Sequence, residues 1–173
     1  MTQLKKDWDL RCFGKACKGA VCLLLAILTN TAAAVASADV KLENSVNKVE
    51  TFVNEAGELQ RRLVGVDSVV PGDELRYTVT FTNEGDVAVD AGSIVITNPI
   101  PQNTAYLQDT AFGSGTSIEY SVDNGSTYGT AGEIEALAGD LASAKDYTTI
   151  RWVFEPELAP GATGHVSFNV KLK

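Results

Sequence analysis

The chain has 173 residues, 45% of them hydrophobic, with 14 basic and 22 acidic side chains and a formal charge of −8. That size suits one domain with its own core rather than a miniprotein held by staples. The acidic balance excludes a nucleic-acid binder, which needs a basic patch to neutralise phosphate, and disfavours attraction to anionic membrane surfaces.

The first residues read as an export leader over 1–38. Lys5, Lys6, Arg11, Lys15 and Lys18 form a basic region, Ala20 to Leu28 is an unbroken apolar run, and Ala36-Ser37-Ala38 is a small-residue cleavage site. The apolar run is too short for a membrane span, which needs about 20 predominantly apolar residues. The leader holds all three cysteines (Cys12, Cys17, Cys22), so the mature part has no disulfide, thiol nucleophile or thiolate metal site. It also holds five of the 14 basic residues and two of the 22 acidic ones, so the mature part is more acidic than the whole. A soluble exported protein follows, secreted, periplasmic or at the cell surface, with no membrane insertion once the leader is gone.

After a polar lead over 39–45, Val46 to Val53 and Leu59 to Val66 read as two strands joined by a turn at Glu55-Ala56-Gly57-Glu58. Pro71-Gly72-Asp73 opens a third. Leu75, Tyr77, Val79 and Phe81 alternate with Arg76, Thr78, Thr80 and Thr82, and Asn83-Glu84-Gly85 closes the stretch. Strict period two puts one face on the core and the other in water. Asp86 to Val89 and Ser93 to Thr97 predict a strand or bulged pair with Gly92 as the irregularity. Asn98-Pro99-Ile100-Pro101 predicts a corner without regular pairing, because proline has no N–H for a ladder. Thr104 to Leu107 reads as a short edge strand.

Ile118, Tyr120 and Val122 alternate next, and Asn124-Gly125 follows. That pair is a strong hairpin signal, since a type I′ turn needs positive φ twice, and Tyr128 belongs to the return strand. Residues 129–146 predict a loop with one helical turn, from the spacing of Ile134, Leu137 and Leu141. Thr148 to Phe154 is a strand ended by Pro156, with Ile150, Trp152 and Phe154 on one face. Pro160-Gly161 turns the chain into a last strand, where Val166, Phe168, Val170 and Leu172 alternate with His165, Ser167, Asn169 and Lys171. The expected core is Tyr77, Val79, Phe81, Ile94, Ile96, Tyr120, Ile150, Trp152, Phe154, Val166, Phe168 and Val170. Seven to nine short strands without a long amphipathic helix predict an all-β, immunoglobulin-like antiparallel β-sandwich over 46–173.

The turns and strands resemble a family of bacterial and archaeal surface modules, the conserved repeat domain also called domain of unknown function eleven. The likeness lies in Pro71-Gly72-Asp73, Tyr77, Asn83-Glu84-Gly85 and the proline-rich segment with Pro99 and Pro101. It continues in Ser121-Val122-Asp123-Asn124-Gly125, in Tyr147-Thr148-Thr149-Ile150-Arg151-Trp152 and in Pro160-Gly161. Asn98 stands where the family usually has Asp. The resemblance implies the sandwich fold and a place at the cell surface. Many members of the family are tandem repeats in very large proteins, whereas this sequence carries one module.

Catalytic signals are weak. His165 is the only histidine and falls on the polar face of its strand. No G-x-S-x-G is present, and histidine-based zinc sites need partners that the sequence lacks. Asp123-Asn124-Gly125 has part of a calcium-loop pattern, but a hairpin turn explains it without an ion. No catalytic residue, metal or cofactor is expected. The sequence favours a non-enzymatic secreted or cell-envelope protein with an adhesion or matrix role, whose partner is a protein or glycan at the cell surface. The alternatives are a self-assembling filament subunit that donates its N-terminal strand, a carbohydrate-binding module using Tyr106, Phe112 or Tyr128, and a secreted hydrolase.

Overall fold

A computed structural model describes residues 37–136 and 139–173. The leader expected over 1–38, with Ala36 of its cleavage site, lies outside these residues except for Ser37 and Ala38. Among the described residues no helix is long and apolar enough to cross a membrane.

Nine strands follow in chain order: β1 (Val40–Val53), β2 (Leu59–Val64), β3 (Glu74–Asn83), β4 (Ile94–Pro99), β5 (Thr104–Tyr106), β6 (Phe112–Gly113), β7 (Thr116–Ser121), β8 (Thr149–Phe154) and β9 (Thr163–Leu172). They form two antiparallel sheets. The larger runs β2-β1-β3-β9-β5, with β6 also paired to β9, and the smaller runs β4-β8-β7. The all-β, two-sheet sandwich read from strand alternation is therefore the fold.

The inner faces meet in one core, where Phe81, Ile150, Trp152, Val166, Phe168 and Val170 are buried almost completely. Trp152 sits mid-strand in β8, across from Ile96 on one side and Ile118 on the other, with Phe168 of the opposite sheet 6.0 Å away between ring centroids. Tyr77 and Phe154 depart from expectation: both pack against the core from its rim and are only partly buried. Tyr77 stacks on Phe168 at 5.3 Å instead. Leu75, which alternation put on the inner face although the expected core omitted it, joins the core, as do Tyr106 and Leu158.

Turn residues that stand far apart in sequence meet in space. The side chain of Asn83, fully buried, donates to the carbonyls of Val87 and Leu158 (2.8 and 3.0 Å) and accepts from the Gly85 amide at 3.0 Å. Its backbone holds the Pro160-Gly161 turn, through Gly161 N–H to Asn83 O at 2.8 Å and Asn83 N–H to Ala162 O at 3.0 Å. Gly85 is required by a close approach, since a Cβ there would lie 2.2 Å from the Ser37 carbonyl oxygen. The Pro71-Gly72-Asp73 turn is bonded to the other end of β9, by Gly72 N–H to Leu172 O and Leu172 N–H to Asp73 O. Asp73 also takes an ion pair from Lys48 of β1 at 2.8 Å, which holds its carboxyl below the ordinary value.

Three local expectations are corrected. The polar lead over 39–45 is strand from Val40 onward, paired with β3 from Val40↔Asn83 to Val49↔Glu74. Period two fits it once the solvent-exposed Leu42 is placed on the inner face. Pairing also continues through Asn98-Pro99, with Pro99 opposite Thr149. β4 lies at a sheet edge, and the Ile100 amide bonds Thr148 O on the β8 side, so the nitrogen of Pro99 faces outward, where no donor is needed. Among the described residues of 129–146 no helix forms: Thr130–Ile134 is a hydrogen-bonded turn, closed by the Ile134 amide on Thr130 O at 3.3 Å. Beyond it Glu135 bridges Leu141 antiparallel, and Ile134 packs with Val122 and Ala142. Leu137 lies outside the described residues.

Candidate functional site

The larger sheet presents its polar face to solvent, and alternation decides what stands there. Arg76, Thr78 and Thr80 of β3 lie opposite Asn169, Ser167 and His165 of β9. β2 adds Arg61 and Leu63 from one side, and β6 with the loop before it adds Asp109, Thr110 and Phe112 from the other. All of these but Thr80 line a groove of about 550 Å3.

Its floor is fixed. Asn169, only 1% exposed, accepts from Arg76 Nε at 2.9 Å through Oδ1 and donates through Nδ2 to Glu74. Thr110 Oγ1 donates to the Leu107 carbonyl and accepts from the Asn169 amide at 3.1 Å. Glu74 is also ion-paired with Arg61. Arg76 is half-buried and has no carboxylate within 4 Å among the described residues; its bond to Asn169 leaves the two terminal nitrogens unengaged by protein. Phe112 stands 53% exposed at the rim, its ring 5.8 Å from the exposed His165 ring. Asp109, in the left-handed region at φ 60°, completes the other wall.

Of the three aromatic platforms considered from sequence, only Phe112 is open. Tyr106 is 5% exposed and bridges the sheets: its hydroxyl lies 3.3 Å from that of Tyr120 and accepts from the Ala111 amide. Tyr120 stacks on Tyr147 at 4.3 Å, and burial pushes both phenols up, so they stay protonated. Tyr128 lies beneath the Arg151 guanidinium at 3.7 Å. His165 is exposed on the polar face, as alternation predicts.

Asn124 and Gly125 both have positive φ (58° and 87°), but among the described residues the expected return strand is absent: Tyr128 lies in no strand, and the chain after the turn meets Tyr120 only at Gly129, in an isolated bridge of two backbone hydrogen bonds. The tip itself is held by Asp123, which accepts from Ser121 Oγ, the Ser126 and Thr127 amides and Thr127 Oγ1 at 2.7–3.0 Å. These bonds, led by the Thr127 amide, lower its carboxyl to about 2. Such a carboxylate is already satisfied by donors, which is turn chemistry rather than cation chemistry. Among the described residues no group of three or more His, Cys, Asp and Glu is placed to hold a metal ion.

No protein-family model, curated protein or solved structure matches this chain.

The structural-motif residues named from sequence do not converge on the groove. Pro71, Gly72, Asp73, Asn83, Gly85, Pro160 and Gly161 tie turns to strands, Tyr77 and Trp152 pack, and Pro99 and Pro101 shape the exit from β4. The groove residues were missed because Arg76 and Asn169 lie 93 positions apart and only the β3–β9 register joins them. The one available signal was that both fall on polar faces of strongly alternating strands.

Proposed function

We propose that this is a non-enzymatic interaction module, exported by its leader to the cell envelope or beyond, where it serves adhesion or matrix through protein or glycan contacts. One observation carries the reading: an outward-facing groove holds a half-buried arginine with no counter-ion among the described residues, and an open aromatic ring on the same lining. Polar groups fixed on strands are pre-organised for recognition and lose little freedom on binding. The resemblance to surface modules points the same way, as analogy at the level of fold. The test is binding of the labelled protein to arrays of surface glycans and envelope proteins, repeated with Arg76→Gln and Phe112→Ala. Loss of the same contacts in both variants is expected. Contacts unchanged in both would remove the groove from the reading, and turnover of an array ester or glycoside would make the protein a hydrolase.

A second reading, a self-assembling subunit, is favoured by the mismatch of the sheets. Six strands face three, so β1 overhangs the smaller sheet and leaves inward-side Leu42 and Val46 55% and 37% exposed beside β4. β4 has only β8 as partner, and Ile94–Pro99 carries no charge. On an acidic chain, an uncharged open edge is where a second copy meets least repulsion, and strand addition there would cover Leu42. β1 is itself paired with β3, so donation of that strand to a neighbour requires it to leave its own sheet first. Light scattering of the protein against Thr97→Pro, which removes an outward N–H at the edge, separates the two readings. Assemblies that persist in the variant would rule out this edge.

A further inference from the structure

Resting on the reading of the groove as a binding surface, we infer that its ligand is a carboxylate-bearing saccharide of the uronic-acid class. The argument begins with the charge that is left over. Arg61 is engaged by Glu74, and Glu74 is shared with Asn169, so that pair is closed. Among the described residues Arg76 is held only through Nε, by a buried asparagine that fixes the plane of the guanidinium. What remains is the terminal fork of two nitrogens, whose geometry matches a carboxylate bidentately. An arginine half-removed from water gains more from such an anion than one on an open surface, because screening is weaker there.

The remaining walls say what carries the carboxylate. Phe112 offers an exposed aromatic face, with His165 beside it. A pyranose ring presents C–H groups to such a face and hydroxyls around its edge. Asp109 is an acceptor for those hydroxyls, on the same groove wall as Phe112. The same Asp109, with Glu74 near the floor, repels a ligand of high negative charge density. That disfavours a polyacidic peptide and fits one carboxylate per sugar ring. The volume of about 550 Å3 lies within the range of about 300–1,000 Å3 usual for small-ligand clefts.

The experiment is titration of the full protein by calorimetry with four probes of matched length: oligogalacturonate, its methyl ester, neutral oligogalactose and oligoglutamate. Oligogalacturonate should bind, with the ester and the neutral sugar weaker by roughly 10- to 100-fold, as loss of one charge-assisted contact implies. Arg76→Gln should abolish that discrimination. Phe112→Ala should weaken the uronate and the neutral sugar alike and leave the ratio between them intact. Neither side chain lies in the core, and unchanged thermal unfolding would show that both variants fold. Equal binding of ester and uronate, indifferent to Arg76→Gln, overturns the inference but leaves glycan contact standing. Tighter binding of oligoglutamate overturns the saccharide and makes the groove an acidic-peptide site. Absence of any binding overturns the inference, and the array experiment then decides separately whether the module has another partner.

Discussion

Trp152 is the most sensitive reporter of the packing. It is 1% exposed, lies between Ile96 and Ile118 within its sheet, and meets Phe168 across the interface. Its indole N–H is buried without an acceptor among the described residues. Trp152→Ala removes the ring and leaves a cavity in the centre of the sandwich, which should cost about 3–5 kcal/mol. Trp152→Phe is the more discriminating change. The volume lost is roughly 40 Å3, which at about 24 cal/mol per Å3 of cavity costs about 1 kcal/mol. Against that, the unbonded donor disappears, and a buried unsatisfied polar group costs about 1–3 kcal/mol. The phenylalanine variant should therefore lie within about 1 kcal/mol of the parent. Urea unfolding followed by far-ultraviolet circular dichroism measures both, with equal m-values as the check that the same surface is exposed. A phenylalanine variant as unstable as the alanine one would refute the reasoning about the orphan donor. An alanine variant within about 0.5 kcal/mol of the parent, the range of neutral surface changes, would remove Trp152 from the core.

Asn83→Ala should destabilise by about 1–3 kcal/mol, because it leaves the part-buried Val87 carbonyl and Gly85 amide without their partner, while the Leu158 carbonyl keeps the Val89 amide; chemical denaturation gives the value, and a neutral result would mean that water replaces the side chain. Gly85→Ala should loosen the segment before β1, since its methyl would collide with the Ser37 carbonyl; amide exchange at Asp39 and Val40 should rise while the core stays protected. The pH profile follows from Asp123, whose carboxyl is lowered from 3.8 to about 2 by the bonds it accepts. Its contribution is complete above the unfolded value and is lost as pH falls through the folded one. Asp73 and Asp146, lowered by Lys48 and by the Ser143 amide, act in the same direction. Stability should therefore fall between about pH 4 and pH 2, and Asp123→Asn should flatten that slope; an unchanged slope would discount the turn carboxylate.

Alternation carried the fold because it is a local property with a single physical cause. From Leu75 to Phe81 and from Val166 to Val170, every second side chain must leave water, and two residues of spacing suffice to show which. The turn at Asn124-Gly125 was legible for a similar reason, since the pair fills backbone positions that other residues resist, but the return strand expected after it does not form among the described residues. The misplacements arise where the deciding fact is not local. Pro99 continues a strand because β4 is an edge, and edge position depends on which strands flank it. Leu42 belongs to β1 although it is exposed, because the smaller sheet ends before covering it. Tyr106 falls on the short edge strand expected there but is buried instead of open, because β5 adds to β9 and the ring packs against Tyr120 and Tyr147.

The same distinction separates the residues of the resemblance from those of the groove. Asn83 bonds Val87, Leu158 and Gly85, and its backbone holds Gly161. Pro71-Gly72-Asp73 bonds Leu172 and Lys48. Each of these residues is demanded by the sandwich, whatever it binds, so a shared pattern of them speaks for architecture alone. Within the sandwich Arg76 gives one bond, from Nε to the buried Asn169, and no ion pair among the described residues. It stands opposite Asn169 on a polar face, where threonine or serine would satisfy the strand equally well. Its terminal nitrogens face a groove instead of one of the chain's many carboxylates. In a protein with 22 acidic side chains against 14 basic ones, this half-buried guanidinium bonds Asn169 through Nε and meets no carboxylate among the described residues. A carboxylate from outside would offset the lost solvation of its terminal nitrogens, which makes Arg76 the residue to change first.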